Sequence, residues 1–322
     1  MATIMVPLDG SSFAEHAVPV AGGIARAAGA RIHLVQVHEA PLVAAAPDMM
    51  VPYDAKWDAT IRRQEQEYLQ GMANRISERW GVPTRAELLD GPPAMALSVY
   101  AREMDIDTIV MTTHGRGGLS RMWLGSVADG VIRRSGVPVL VLRPESDAVD
   151  MDAELRPRHV LIPMDGSELS RGVLDRAVWL GSLFGARYTL LRVALPVPLI
   201  RAPFPASSDT EFMEKVVAEQ QEWAQRDLDE AAAPLRERDL DVDVVVVSGP
   251  VPASAILDHA ATNAVDLIAI ATHGRGGWSR LALGSVADKV LRGATMPLLL
   301  YRPPANNGQE RTREDSAVQQ AG

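Results

Sequence analysis

No cysteine occurs among the 322 residues. Disulfides, thiolate nucleophiles and thiolate-ligated metals are thereby excluded, and a reducing compartment is compatible with that absence. A basic excess is also lacking. The formal net charge is −9, which argues against a general nucleic-acid binder and leaves room for a local basic phosphate site. No apolar run approaches the ~20 residues that a membrane helix needs. The first residues hold neither a basic n-region nor a long apolar h-region; the strand-like run Thr3-Ile4-Met5-Val6 begins at once. The expected setting is cytoplasmic, with neither nucleic acid nor membrane as a partner.

Catalytic signatures are missing as well. The glycine-rich loops hold no Gly-Lys-Ser/Thr, and the chain has no Gly-x-Ser-x-Gly elbow, no His-Glu-x-x-His and no acidic pair suited to two-metal chemistry. His16, His33, His38, His159 and His259 are scattered without ligand spacing. His114 and His273 recur in equivalent loops, where packing is a simpler role than catalysis. No catalytic residue and no metal ligand is therefore named.

What the chain does have is a repeat. Thr113-His114-Gly115-Arg116-Gly117-Gly118 returns as Thr272-His273-Gly274-Arg275-Gly276-Gly277, and Leu124-Gly125-Ser126-Val127-Ala128-Asp129 returns as Leu283-Gly284-Ser285-Val286-Ala287-Asp288. From Thr113 to Asp129 only three positions differ from the second copy: Leu119/Trp278, Met122/Leu281 and Trp123/Ala282. Near the front of each copy stands a matching turn, Pro7-Leu8-Asp9-Gly10-Ser11 and Pro163-Met164-Asp165-Gly166-Ser167. The architecture is thus two copies of one domain, each of an ordinary single-domain size of roughly 150 residues. The expected division is 1–144 and 158–303, with an acidic, irregular linker at 145–157 and a polar, disordered tail at 304–322.

Strand and helix signals alternate in each copy. In the first, strands are expected at 4–8, 31–37, 85–89, 108–112 and 137–142, and helices at 15–28, 56–80, 93–103 and 125–134. In the second, strands are expected at 160–164, 188–193, 242–247, 267–271 and 297–301, with a long helix over 211–237. Strands that read as continuous apolar runs between helices indicate a parallel sheet covered on both faces, and right-handed crossovers make it an α/β, doubly wound, Rossmann-like domain.

The shared residues suggest chemistry. The loop with Gly115 leaves the carboxyl end of strand four, and Gly125-Ser126 opens the next helix; Gly274 and Gly284-Ser285 do the same. Ligands of open parallel sheets bind at that edge. A helix N-terminus with glycines and a hydroxyl offers donors to a phosphate. The alternative is that glycine only turns the chain and serine only caps the helix. Arg116 and Arg275, with Arg121 and Arg280, could neutralise phosphate or stand in solvent. Asp9 and Asp165 end strand one, where a carboxylate either accepts from a ribose hydroxyl or an amine, or caps the next helix. Pro7 and Pro163 shape that turn.

These residues resemble those of tandem universal stress proteins, and the resemblance covers nearly all of both halves. The family's ATP-binding pattern is Gly, two residues, Gly, nine residues, Gly, then Ser or Thr. Here Gly115, Gly125 and Ser126 match it, as do Gly274, Gly284 and Ser285, while Thr112 and Ala271 replace the first glycine. Ala271 adds one methyl; Thr112 is branched and stiff, so the first site is expected to be the more crowded. The resemblance implies an adenine pocket from Pro7, Asp9 and Val37, repeated as Pro163, Asp165 and Val193, with Met111 and Ile270 flanking the nucleotide. Gly115, Gly125, Ser126 and Val127 would hold phosphates, as would Gly274, Gly284, Ser285 and Val286.

The resemblance further implies adenine nucleotide alpha hydrolase-like domains, each a five-stranded parallel sheet in order 3-2-1-4-5. Strand five of one half should pack pseudo-symmetrically on strand five of the other, and two chains can then form a homodimer. The expected function is an ATP-binding stress regulator, with Mg²⁺ as companion of the nucleotide and an unidentified protein partner. The competing readings are a stress protein that binds no nucleotide and acts by protein contacts, and a slow ATP hydrolase.

Overall fold

The computed structural model describes residues 1–39, 55–113, 124–144, 146, 148–194, 210–272 and 283–302. The expected tail at 304–322 and both glycine-rich loops, with Gly115, Arg116, Gly274, Arg275, His114 and His273, lie outside the described residues. The first half runs β1 (Thr3–Leu8), α1 (Ser12–Glu15), α2 (Ala17–Ala28), β2 (Arg31–His38), α3 (Ala55–Trp80), β3 (Thr84–Asp90), α4 (Pro93–Glu103), β4 (Thr108–Thr112), α5 (Ser126–Arg134) and β5 (Val139–Leu142). The second half repeats it as β6 (His159–Pro163), α6 (Glu168–Arg171), α7 (Leu174–Ser182), β7 (Arg187–Ala194), α8 (Thr210–Arg236), β8 (Val242–Ser248), α9 (Pro252–Thr262), β9 (Leu267–Ala271), α10 (Ser285–Gly293) and β10 (Leu298–Tyr301). No helix among the described residues is long and apolar enough to cross a membrane.

Local chemistry explains the boundaries. The helix expected over 15–28 is two helices broken at His16. Pro19 sits in the first turn of α2, where its ring would clash with the carbonyl four residues back in a continuous helix. Strand five is shorter than expected in both halves because Pro138 and Pro297 cannot donate to a ladder, so pairing starts after them. After β1, the Asp9 carboxylate accepts from the Ser11 amide at 3.0 Å and hydroxyl at 2.6 Å, and Ser11 Oγ accepts from the Ala14 amide at the start of α1. Asp165, Ser167 and Ser170 repeat this relay after β6. The tight turn between needs left-handed backbone at Gly10 (φ 78°) and Gly166 (φ 80°), which glycine adopts without cost to a Cβ.

The ten strands of the described residues form one sheet, in order β3-β2-β1-β4-β5-β10-β9-β6-β7-β8. Each half is parallel and ordered 3-2-1-4-5; the joint between β5 and β10 is antiparallel, with Leu298 opposite Val141 and Leu300 opposite Val139. Two apolar layers cover the sheet, and both run through the joint. Leu140 and Leu299 belong to the layer under α2, α3, α7 and α8, while Val141, Leu298 and Leu300 belong to the layer under α4, α5, α9 and α10. Pairing removes two apolar edges that would otherwise be open to other chains.

Two arginines lock the joint. Arg143 donates to the carbonyls of Leu291 (2.8 Å), Arg292 (2.9 Å) and Ala294 (3.2 Å) at the end of α10. Arg302 donates in the reverse direction to the Arg133 carbonyl, at 2.8 Å, in the last turn of α5. A cation at a helix C-terminus satisfies orphan carbonyls and opposes the dipole. Burial lowers the pKa of both guanidinium groups, yet both remain charged.

The segment expected as a linker is strapped down. Glu154 accepts from Trp80 Nε1 at 2.8 Å and pairs with Arg26 and Arg156. Met151 and Leu155 pack against the core beneath α2. Burial disfavours the Glu154 carboxylate, but the bonds from Trp80 and Arg156 and the charge of Arg26 outweigh it and hold the pKa below the ordinary value.

Candidate functional site

A pocket of about 580 Å³ opens at the carboxyl ends of β1, β2 and β4. Its size suits a small-molecule ligand. Pro7 and Asp9 form one wall, Val37 and Gln36 of β2 another, and Met111 and Thr112 the floor from β4; Gly125, Ser126 and Val127 bring the start of α5 to the rim. Eight sequence-expected residues of the first half therefore line one cavity. Thr112 is buried and lines the pocket.

The α5 terminus supplies donors that no carbonyl of the helix takes. The Gly125 amide bonds to the Thr113 carbonyl at 2.7 Å, which fixes where the helix begins. Among the described residues no side chain caps α5. The amides of its first turn have no intrahelical acceptor and stand at the rim with a partial positive charge.

Several lining residues carry no sequence signal. Ile61 and Glu65 come from α3, and Pro93 and Leu97 from the first turns of α4. Gln36 is only 2% exposed, and its Oε1 has no hydrogen-bond partner among the described residues. No sequence signal singles it out, since Arg31, His33 and His38 are further polar residues of β2. The described lining is acidic, with Asp9, Glu39 and Glu65 and no arginine or lysine.

Beside the pocket, His38 holds α3 to the sheet. Its Nδ1 lies 2.7 Å from Glu65 Oε2 and its Nε2 2.9 Å from Asp58 Oδ1. Arg62 extends the network, donating to Asp58 at 2.9 Å and pairing with Asp90. Burial disfavours a charged His38, but the bonds to Glu65 and Asp58 prevail and raise its pKa above the ordinary value. Arg62 holds the Asp90 carboxyl below its ordinary value. With both ring nitrogens engaged, His38 clamps a helix rather than serving the pocket as a base.

The second half places Pro163 and Asp165 at the end of β6, Val193 in β7, Ile270 and Ala271 at the end of β9, and Gly284, Ser285 and Val286 at the start of α10. The Gly284 amide bonds to the Thr272 carbonyl at 2.6 Å, as Gly125 does to Thr113. Ala271 is buried. Arg192 follows Leu191 in β7 and is 6% exposed. It donates to the Asp165 carbonyl at 3.1 Å, pairs with Asp227 of α8 at 2.5 Å, and lies 4.1 Å over the Trp223 ring.

The chain is similar to known proteins. The sequence model of the universal stress protein family matches residues 1–143 and again residues 157–302. A universal stress protein of Mycobacterium tuberculosis is 32% identical over 308 residues, covering 93% of this chain and 96% of that protein. One from Methanocaldococcus jannaschii is 34% identical over 143 residues, 44% of this chain and 81% of the relative. The crystal structure of a universal stress protein from Archaeoglobus fulgidus superposes with a TM-score of 0.67 at 19% identity, covering 94% of this chain and 98% of that one.

Proposed function

The chain belongs to the universal stress protein family, and from that premise we propose that it is an adenine-nucleotide-binding regulator. Its two units are residues 1–144 and 158–303, joined by 145–157. The observation that carries the reading is the convergence of Pro7, Asp9, Val37, Met111 and the start of α5 on one pocket. The pocket's chemistry is graded. Apolar Val37 and Met111 with Pro7 suit the faces of a base, and Asp9 suits a ribose hydroxyl or an amine. At the rim, the α5 amides and the Ser126 hydroxyl suit phosphate oxygens. By the family pattern Gly115 and Arg116 would also serve phosphate binding, with Mg²⁺ as the companion of ATP. Pro163, Asp165, Val193, Ile270, Ala271, Gly274, Arg275, Gly284, Ser285 and Val286 form the corresponding set of the second half.

The protein acts in the cytoplasm through conformation and contact rather than turnover. Nucleotide binding alters the surface met by a protein partner or a second copy of the chain. Any ATP hydrolysis is slow. The test is to denature freshly purified protein and identify released nucleotide by anion-exchange chromatography, with ATP titration in the presence of Mg²⁺ as the second step. Co-purifying or micromolar adenine nucleotide is the expected result. No released nucleotide together with a flat titration overturns the reading and leaves a protein that works by protein contacts alone.

A further inference from the structure

We infer that each chain holds one nucleotide, in its first half, because Arg192 occupies in the second half the place that Gln36 leaves open in the first. This rests on the nucleotide-binding reading above and adds where and how many. The repeat makes Gln36 and Arg192 equivalent: Val35 lies opposite Pro7 in the β1–β2 ladder, Leu191 lies opposite Pro163 in the β6–β7 ladder, and each immediately precedes the residue in question.

In the first half this position lines a cavity. Gln36 is almost fully buried there, with an unpartnered Oε1. A buried amide oxygen without a donor is unfavourable, and a donor from the ligand relieves it. Its amide can present an acceptor or a donor, which matches the mixed edge of a nucleobase. Gln36 is thus the specificity-determining contact for a base.

In the second half the same position is self-satisfied. The Arg192 guanidinium reaches the Asp165 carbonyl, on the turn that corresponds to the Pro7–Asp9 wall. It also reaches Asp227 and stacks on Trp223, both on α8, which corresponds to the α3 wall of Ile61 and Glu65. Arg171 anchors Asp227 from the other side at 2.7 Å. The side chain therefore spans two walls that in the first half are separated by the cavity. A ligand entering there must break a buried ion pair, which strands a charge. The methyl at Ala271 is not what closes this site; Arg192 is.

The experiment is isothermal titration of the full chain with ATP, for the natural protein, Arg192→Gln and Gln36→Arg, with a thermal melt of each to verify folding. The expected stoichiometries are about one, two and zero per chain. Two sites in the natural protein overturn the inference and leave the nucleotide reading intact. One site that survives Gln36→Arg also overturns it, since the site would then lie in the second half. No binding by the natural protein overturns the nucleotide reading itself. Should Arg192→Gln fail to fold, Val37→Trp decides the matter: filling the first pocket should abolish binding, at least a hundredfold. One nucleotide still bound by a folded Val37→Trp overturns the proposal.

Discussion

The first half carries Gln36 and His38 on strand two, where the second carries Arg192 and Ala194. Positions two apart on a strand share a face, so both pairs look toward the long helix, α3 or α8. Each half pins that helix with one strand cation: His38 between Asp58 and Glu65, or Arg192 against Asp227. The mechanical task is the same, but the cation has moved two residues along the strand. At position 38 it stands at the edge and clears the pocket. At position 192 it reaches across the turn after β6. A duplicated scaffold can therefore retain its fold in both copies while one register step in the pin separates their sites.

Four kinds of substitution probe this contrast. His38→Ala should have the largest effect, because it leaves Asp58 and Glu65 without their shared cation, a loss of about 3 kcal/mol by analogy with severed buried pairs. Its pH dependence has a definite sign. The folded pKa lies above the ordinary 6.5, so the stabilisation is complete below about 6.5 and is lost as pH rises through the folded value. Denaturant melts at pH 6 and pH 9 should show the gap between natural and variant protein shrinking at pH 9. An equal gap at both would mean that His38 acts by packing alone.

Gly22→Ala comes next. A Cβ there would stand 2.5 Å from the Trp80 ring, and at Gly181 it would stand 2.6 Å from the Tyr188 hydroxyl. Overpacking at either site should cost about 2 kcal/mol. The two sites differ in how far the disturbance spreads. Trp80 is tied to Glu154, so limited proteolysis of Gly22→Ala should show faster cleavage within 145–157, whereas Gly181→Ala should not.

Smaller again is Arg143→Ala at the joint. It strips donors from the end of α10 and should cost about 1.5 kcal/mol by equilibrium melting. Adding Arg302→Ala, which treats α5 in the same way, should increase the loss, and a double-mutant cycle tests whether the two locks are independent. Glu154→Gln should be the mildest, about 0.5–1 kcal/mol at neutral pH. Its folded pKa is depressed. The contribution is therefore present above the ordinary carboxylate pKa and lost as pH falls through the folded value, so natural and variant melts should converge in acid.

Much of the scaffold is legible in the order of residues. The repeat, the apolar strand runs and the proline and glycine punctuation each report local or periodic chemistry, which is why β4 and β9 have the expected bounds and α4 begins at Pro93. The break at His16 is harder to see, because the alanine-rich stretch reads as one helix unless the steric reach of Pro19 is weighed. Of the candidate site, the turn after β1 and the start of α5 can be read because each is a short motif written twice, and strand four because it is an apolar run in both copies. Ile61, Glu65 and Leu97 cannot, because a helix residue lines a pocket only by virtue of where its helix docks.

Two α/β units, their strand order once the family pattern is recognised, and the residues gathered at the carboxyl edge of each sheet are all written in the chain itself. Packing alone dictates that Glu154 is bolted down by Trp80 and Arg26, that Arg143 and Arg302 exchange helix ends across the joint, and that Arg192 spans two walls in the second half while the Gln36 Oε1 has no partner among the described residues of the first. The reason is physical. Periodicity and turn chemistry act over a few residues and are written in order along the chain, whereas a buried charge finds its partners wherever packing brings them, and those distances along the sequence run to dozens or hundreds of residues.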